Sequence, residues 1–247
     1  TRAVIIEEIN NSNKLAKEVE SIINETELGF LYEQRNKLLT IGFNLDKGQK
    51  DNSYYDLLAS EARLASLIGI AKGDLPLEHW FTLGRTMTKA SGGSALLSWS
   101  GTMFEYLMPI LVMKNVKNSL LDRTYKAVVK TQKSYAKSHK IPWGISESAY
   151  SGVDFHNTYQ YKAFGIPGLG LKRGLTQDFV ISPYSTALAL PIDPKSSISN
   201  FRRLEKIGAR GEYGFYEAID FTPDRLNVGE KFHLIRSFLA HHQGMSL

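Results

Sequence analysis

The chain has no cysteine, so disulfide frameworks, thiol nucleophiles and thiolate metal sites are all closed to it. No apolar run reaches the roughly 18–20 residues that a membrane-crossing helix needs. The longest, residues 106–113, falls far short. Charge of one sign is hardly in excess: 30 basic against 25 acidic residues leave a net charge of +5. The basic residues between Lys114 and Lys140 fall mostly along one predicted helix. They read as a solvated face, because no nucleic-acid-binding motif accompanies them. The opening residues do not read as a secretory leader. The sequence starts at Thr1 and stops at Leu247 within an apolar pattern, which reads as a piece of a longer chain.

What is present suffices for a substantial core. At 247 residues and 43% hydrophobic content, one large domain or two small ones can form. Residues 3–25 carry Val4, Ile5, Ile9, Leu15, Val19 and Ile22 at helical spacing and predict an amphipathic helix. Further helices are predicted over 54–72, closed by Gly73 and Pro76, over 78–87, 95–113 and 120–139, and again over 185–190, 194–207 and 231–245. Residues 46–53 and 91–94 read as breaks, and 147–183 as a glycine- and aromatic-rich loop region of the kind that carries function on a rigid scaffold. With about eight helical segments and few convincing strands, the fold class expected is all-α.

Two carboxylates stand out. Glu147 lies between Ser146 and Ser148 within Pro142-Trp143-Gly144-Ile145-Ser146-Glu147-Ser148-Ala149-Tyr150. Flat aromatic side chains suit packing against sugar rings, and a carboxylate among them could attack or exchange a proton with a bound sugar. A surface turn in which Glu147 merely caps a helix explains the same residues. Glu61 falls, on a wheel of the predicted 54–72 helix, inside the stripe of Leu57, Leu64 and Ile68. A charged carboxylate facing an apolar interior costs several kcal/mol unless it is paired. That is the setting of a functional acid or of a structural ion pair with a buried arginine such as Arg63. Two such groups are the minimal equipment of a glycoside hydrolase.

The remaining candidates are contacts to a sugar. Trp99, Trp143, Tyr150 and Tyr216 offer ring surfaces; Glu105, Asp154, Glu217 and Asp220 offer carboxylates; Arg173 could orient a carboxylate or line a cleft. His241, His242 and Gln243 offer hydrogen bonds to sugar hydroxyls. The two histidines do not read as a metal pair, because adjacent helical residues diverge by about 100°. The run Gly168-Leu169-Gly170-Leu171-Lys172-Arg173-Gly174 has no strand before it and no helix start after it, so it is not read as a phosphate loop. Neither a metal nor a cofactor is expected.

Several long runs, in order, resemble the glucoamylase-like domain of bacterial cyclic β-1,2-glucan synthases. They are Tyr55-Asp56-Leu57-Leu58-Ala59-Ser60-Glu61-Ala62-Arg63-Leu64, Pro76-Leu77-Glu78-His79-Trp80-Phe81 and Ser98-Trp99-Ser100-Gly101-Thr102-Met103-Phe104-Glu105-Tyr106. The nine residues from Pro142 to Tyr150, the run beginning Phe164-Gly165-Ile166-Pro167, then Tyr213-Gly214-Phe215-Tyr216-Glu217-Ala218-Ile219-Asp220 and the closing His241-His242-Gln243-Gly244-Met245-Ser246-Leu247 continue it. The resemblance covers about residue 54 to the end. It implies an (α/α)6 toroid, which the helices counted would fill only in part. It divides the chain into an N-terminal helical segment, 1–53, and a catalytic domain, 54–247, cut short at its C-terminus. It also implies a retaining transglycosylase that closes linear β-1,2-glucan into rings, with Glu147 as nucleophile and Glu61 as acid/base acting through a substrate hydroxyl. More distantly the runs are similar to endo-β-1,2-glucanases, and a non-catalytic glucan-binding module is the third reading. The implied partner is β-1,2-glucan and the implied setting the cytoplasmic side of a bacterial inner membrane, within a larger synthase. Uncovered apolar faces at the two ends of the chain would favour self-association.

Overall fold

The computed structural model describes residues 2–247. It divides into two compact units, one formed by the segment ending at Asp56 and Ala65–Leu83, the other by Leu57–Leu64 and Gly84–Leu247. The expectation of an all-α fold is wrong. The molecule is 40% helix and 19% strand, with several small antiparallel sheets, and is a mixed fold of helix and strand.

In the first unit, α1 (Arg2–Glu25) forms as its spacing predicts but buries none of its residues. The chain then builds a three-stranded antiparallel sheet from Tyr32–Glu33, Leu38–Thr40 and Tyr54–Tyr55, with Leu38–Thr40 in the middle. Tyr32, Leu39 and Leu75 form its core. The unit also holds α2 (Arg63–Lys72) from Ala65 onward and α3 (Glu78–Thr82). The helix expected over 54–72 is thus overturned in its first half, where Tyr54 and Tyr55 pair with Thr40 and Leu39. Two aromatic residues suit a pleated strand, and a two-residue strand is too short for its period to be counted.

In the second unit, α4 (Met103–Leu107) and α5 (Leu120–Ser138) pack beside a hairpin of Met87–Ala90 and Gly93–Leu96. The break read at 91–94 spans that hairpin's turn and the first two residues of its second strand, and Met87, Ala95 and Leu96, expected in helices, are strand. α5 forms for visible reasons. Ser119 caps its start, accepting from the Asp122 N–H at 3.1 Å, and Tyr125, Val128, Val129, Gln132 and Ala136 give it one buried face. Beyond lie the hairpin Ser148–Val153/Tyr159–Lys162, with a register shift between Ala149 and Val153, and helices α6 (Pro183–Leu188) and α7 (Pro194–Lys206). A buried antiparallel sheet has Ala218–Asp220 between Val180–Ile181 and His233–Ile235. Helix α8 (Ala240–Ser246) is shorter than the 231–245 expected, because His233–Ile235 is that sheet's edge. No helix among the described residues is long and apolar enough to cross a membrane.

Candidate functional site

The second unit holds a site built around Glu147, and the residues just before it explain its position. Gln132 of α5 clamps Ile145 from both sides, donating from Nε2 to its carbonyl at 2.7 Å and accepting its N–H at 3.0 Å. Asn200 of α7 holds Trp143 in the same way, with Nδ2 to the carbonyl at 2.8 Å and the N–H to Oδ1 at 3.3 Å. Gly144 sits at φ 121°, and a Cβ there would lie 2.7 Å from Ser185 Oγ, so a larger residue is excluded twice over. Ser146 Oγ meets the Tyr184 hydroxyl at 2.8 Å and accepts the Phe104 N–H at 3.1 Å. The Tyr184 hydroxyl donates to the Glu147 carbonyl at 2.9 Å. Each residue from 143 to 146 is therefore held by a different partner, and Glu147 leaves a rigid support.

The Glu147 side chain is half-buried. Its Oε1 accepts a 2.9 Å hydrogen bond from the Tyr161 hydroxyl on the neighbouring hairpin strand. Burial raises its pKa above the ordinary carboxylate range; the Tyr161 bond works against this, and the charges of Glu61 and Glu105 add to it. His242 lowers it in turn. The same burial, with Glu147 beside it, pushes the Tyr161 hydroxyl up, so it stays protonated and able to donate. Behind Tyr161 lies His242, fully buried, its Nε2 3.3 Å from the hydroxyl. The His242 Nδ1 lies 2.8 Å from Glu217 Oε1, and its ring stacks on Tyr184 at 3.7 Å between centroids.

Glu61 lies in a turn ahead of α2, so the wheel that placed it on an apolar helix stripe does not apply. It is half-buried and accepts from Ser60 Oγ at 3.2 Å. Arg63 is not its ion-pair partner. The buried guanidinium donates instead to the carbonyls of Ser60, Glu105 and Tyr106, which pins the 60–63 turn to α4. Glu61 thus keeps its carboxylate within electrostatic reach of Glu147, in a turn anchored from below.

The other predicted contacts separate into groups. Trp99 is 63% exposed on a loop pressed against the 165–171 segment, where a Cβ on Gly165 would lie 1.7 Å from the Ser100 carbonyl oxygen. The glycine-rich run therefore serves close backbone packing. Glu105 is spent within this loop: it accepts from the N–H groups of Ser100 and Thr102 and from Ser98 Oγ, completing a capping box on α4. Trp143 is buried in the support, and Tyr150 packs edge-on against Phe164 beneath Arg225. Asp154 orders the hairpin tip by accepting the N–H groups of His156 and Thr158. Asp220 is clamped by Arg225 and Ser151, and Gln243 reaches the Phe215 carbonyl at 3.4 Å. Tyr216 packs on Phe238, while Arg173 and His241 are exposed. Glu217 and His242 join Glu147 through Tyr161. Tyr184, whose hydroxyl ties Ser146 to Glu147, was missed; a tyrosine inside a short apolar helix gives no sequence signal of that task.

The family model Glycoamylase, described as "Putative glucoamylase", matches residues 53–247. The chain is 48% identical over 233 residues to the cyclic beta-(1,2)-glucan synthase NdvB of Rhizobium meliloti (strain 1021), covering 94% of this chain and 8% of that protein. Two solved structures share the fold. One is a putative glucoamylase from Bacteroides fragilis NCTC 9343, with TM-score 0.68, 20% identity and coverage of 95% of this chain and 57% of that one. The other is an endo-beta-1,2-glucanase from Chitinophaga pinensis, with TM-score 0.66, 16% identity and coverage of 95% and 57%. The chain thus spans a small part of the synthase and little more than half of each solved protein. With more than three-quarters of its length inside the family model, it belongs to the glucoamylase-like family of carbohydrate-active enzymes.

Proposed function

We propose that residues 54–247 act on linear β-1,2-glucan as a retaining transglycosylase, with Glu147 as nucleophile and Glu61 as acid/base. The observation that carries this reading is the state of the Glu147 carboxylate. One oxygen is oriented by Tyr161 and the other has no hydrogen-bond partner among the described residues, while a second carboxylate, Glu61, is near enough to raise its pKa. Two carboxylates within electrostatic reach of each other are the pair that an acid/base and a nucleophile require.

In this reading Glu147 attacks the anomeric carbon as the glycosidic bond breaks, and the proton of Glu61 passes to the departing oxygen. The covalent glycosyl ester is then displaced by a hydroxyl of the glucan chain, whose proton returns to Glu61. Two displacements at one carbon retain its configuration. Exposed Trp99 offers a ring for the glucan to lie against. The likeness to a cyclic glucan synthase over nearly the whole chain supports a sugar hydroxyl as acceptor, and with it a role within a larger bacterial synthase.

Incubation with linear β-1,2-glucan and separation of the products tests the reading. Rings support it, and short linear oligomers would replace it with hydrolysis. Unchanged polymer that still binds to Glu147→Gln would make the chain a glucan-binding module.

A further inference from the structure

Glu217, His242 and Tyr161 form a single file of hydrogen-bonding groups that ends on Glu147. Glu217 Oε1 and His242 Nδ1 are 2.8 Å apart, His242 Nε2 and the Tyr161 hydroxyl 3.3 Å, and that hydroxyl and Glu147 Oε1 2.9 Å. Glu217 and His242 have fully buried side chains and no lysine or arginine pairs with either among the described residues. Glu217 Oε1 also accepts the Ala149 N–H at 3.3 Å, while its Oε2 is buried with no partner. Stacking on Tyr184 fixes the plane of the His242 ring.

The file is constrained by proton count. Tyr161 has one hydroxyl proton and two neighbours that can take it. When that proton points at Glu147, the tyrosine oxygen turns its lone pairs toward His242 Nε2, and only a protonated Nε2 makes this a bond rather than a repulsion. Glu217 Oε1 accepts from the backbone, so Nδ1 is best served as a donor too. Both ring nitrogens then carry protons, and the imidazolium rests on the Glu217 carboxylate. If Nε2 loses its proton it becomes an acceptor. The Tyr161 hydroxyl is then free to turn to it, and Glu147 loses its donor.

We propose that Glu217 and His242 are positioning residues that set the direction of the Tyr161 hydroxyl, so that the protonation of the buried His242–Glu217 pair decides whether Glu147 is held as a carboxylate. The catalytic meaning of this rests on the assignment of Glu147 made above; the coupling itself does not. The titratable groups around the file are few. His241 lies 4.0 Å from the His242 ring, the Tyr184 hydroxyl lies under Glu147, and Glu61 and Glu105 act on Glu147 by charge. His241 is exposed; burial and the charge of His242 lower its pKa, and the charge of Glu217 works against them.

The test reads Glu147 directly. Its side-chain carboxyl is followed by 13C NMR through a pH titration in the intact protein, assigned by Glu147→Gln. The expected curve shows a second inflection that coincides with titration of the His242 ring. His242→Gln removes that inflection. Tyr161→Phe removes it as well and moves the main midpoint to higher pH, because a donor to the charged form is gone. The tyrosine is 46% exposed and loses only a hydroxyl, so this variant tests the file without opening the core. A Glu147 curve that keeps its shape and midpoint in Tyr161→Phe overturns the proposal, whatever His242→Gln does to folding. The pH profile of glucan turnover is measured alongside, and its acid limb is expected to follow the Glu147 midpoint upward in Tyr161→Phe. A coupled Glu147 titration in a protein that leaves β-1,2-glucan untouched sustains the relay and removes the proposed reaction instead.

Discussion

Two buried carboxylate clusters flank the hairpin Ser148–Val153/Tyr159–Lys162, and they are built on opposite principles. In one, Arg225 bridges Asp178 and Asp220, Lys162 pairs with Asp178 at 2.6 Å, and Ser151 and Thr222 supply further donors. Burial penalises both aspartates, yet the cations and hydroxyls hold their pKa values below the ordinary range. In the other, Glu147 has a tyrosine where the aspartates have guanidinium, and burial, joined by neighbours of like charge, pushes its pKa up. The first cluster is electrically satisfied and serves as a clamp. The second is left under-compensated, and an under-compensated carboxylate is one that can still exchange a proton or form a bond.

The sharpest way to break this comparison is Glu147→Gln, expected to abolish glucan turnover in a product assay while leaving the fold intact by circular dichroism. Glu61→Gln is expected to cost about 10²–10⁴-fold in kcat, the range for loss of a general acid. Much of that loss should be recovered on a glucosyl substrate whose leaving group departs without a proton. Arg225→Met should do the reverse of both, costing about 3–5 kcal/mol in denaturant unfolding because two aspartates lose a shared buried partner. Smaller, but diagnostic, are the opposite pH signatures. The clamp's stabilisation is present above the unfolded aspartate pKa of about 3.9 and is lost as pH falls through the lower folded values. For Glu147 the folded value is raised, so its favourable contribution is complete below about pH 4.3 and disappears as pH rises through the folded value. Glu147→Gln should therefore gain stability relative to wild type between pH 3 and 7, and Arg225→Met should lose it. Trp99→Ala, at an exposed position, should raise KM several-fold and move stability by no more than about 0.5 kcal/mol.

The sequence carried the long helices and the motif positions, but not the sheets. α1, α5 and α7 show repeated apolar spacing over several turns. The strands that overturn the all-α expectation are two to four residues long in most cases, too short for a period to be counted, and Val180–Ile181 and Ala218–Asp220 are buried outright and show no alternation. Within the candidate site, Glu147 was visible because hydroxyls and aromatics bracket it in a short run. Glu61 was singled out by a helix wheel that the structure removes, and only its motif placed it beside Glu147. Glu105 reads from the sequence as a contact to sugar, and four donors within its own loop occupy it instead. The clamp was illegible for another reason: Asp178, Asp220 and Arg225 meet through sheet pairing that no local pattern announces.

The hairpin between the two clusters carries them on opposite faces of a single strand. Tyr161 points to Glu147, and Lys162, the next residue, points to Asp178. Neighbouring strand residues face opposite ways, so a slip of one position would exchange them. The ammonium would then stand against Glu147, and the aspartate would receive a hydroxyl. Such a molecule could still pair its strands, but its reactive carboxylate would be neutralised by a salt bridge. The bulge between Ala149 and Val153, which locks the pairing of Ser148 with Lys162 and of Ala149 with Tyr161, is thus a proofreading device for charge as much as a bend in a strand.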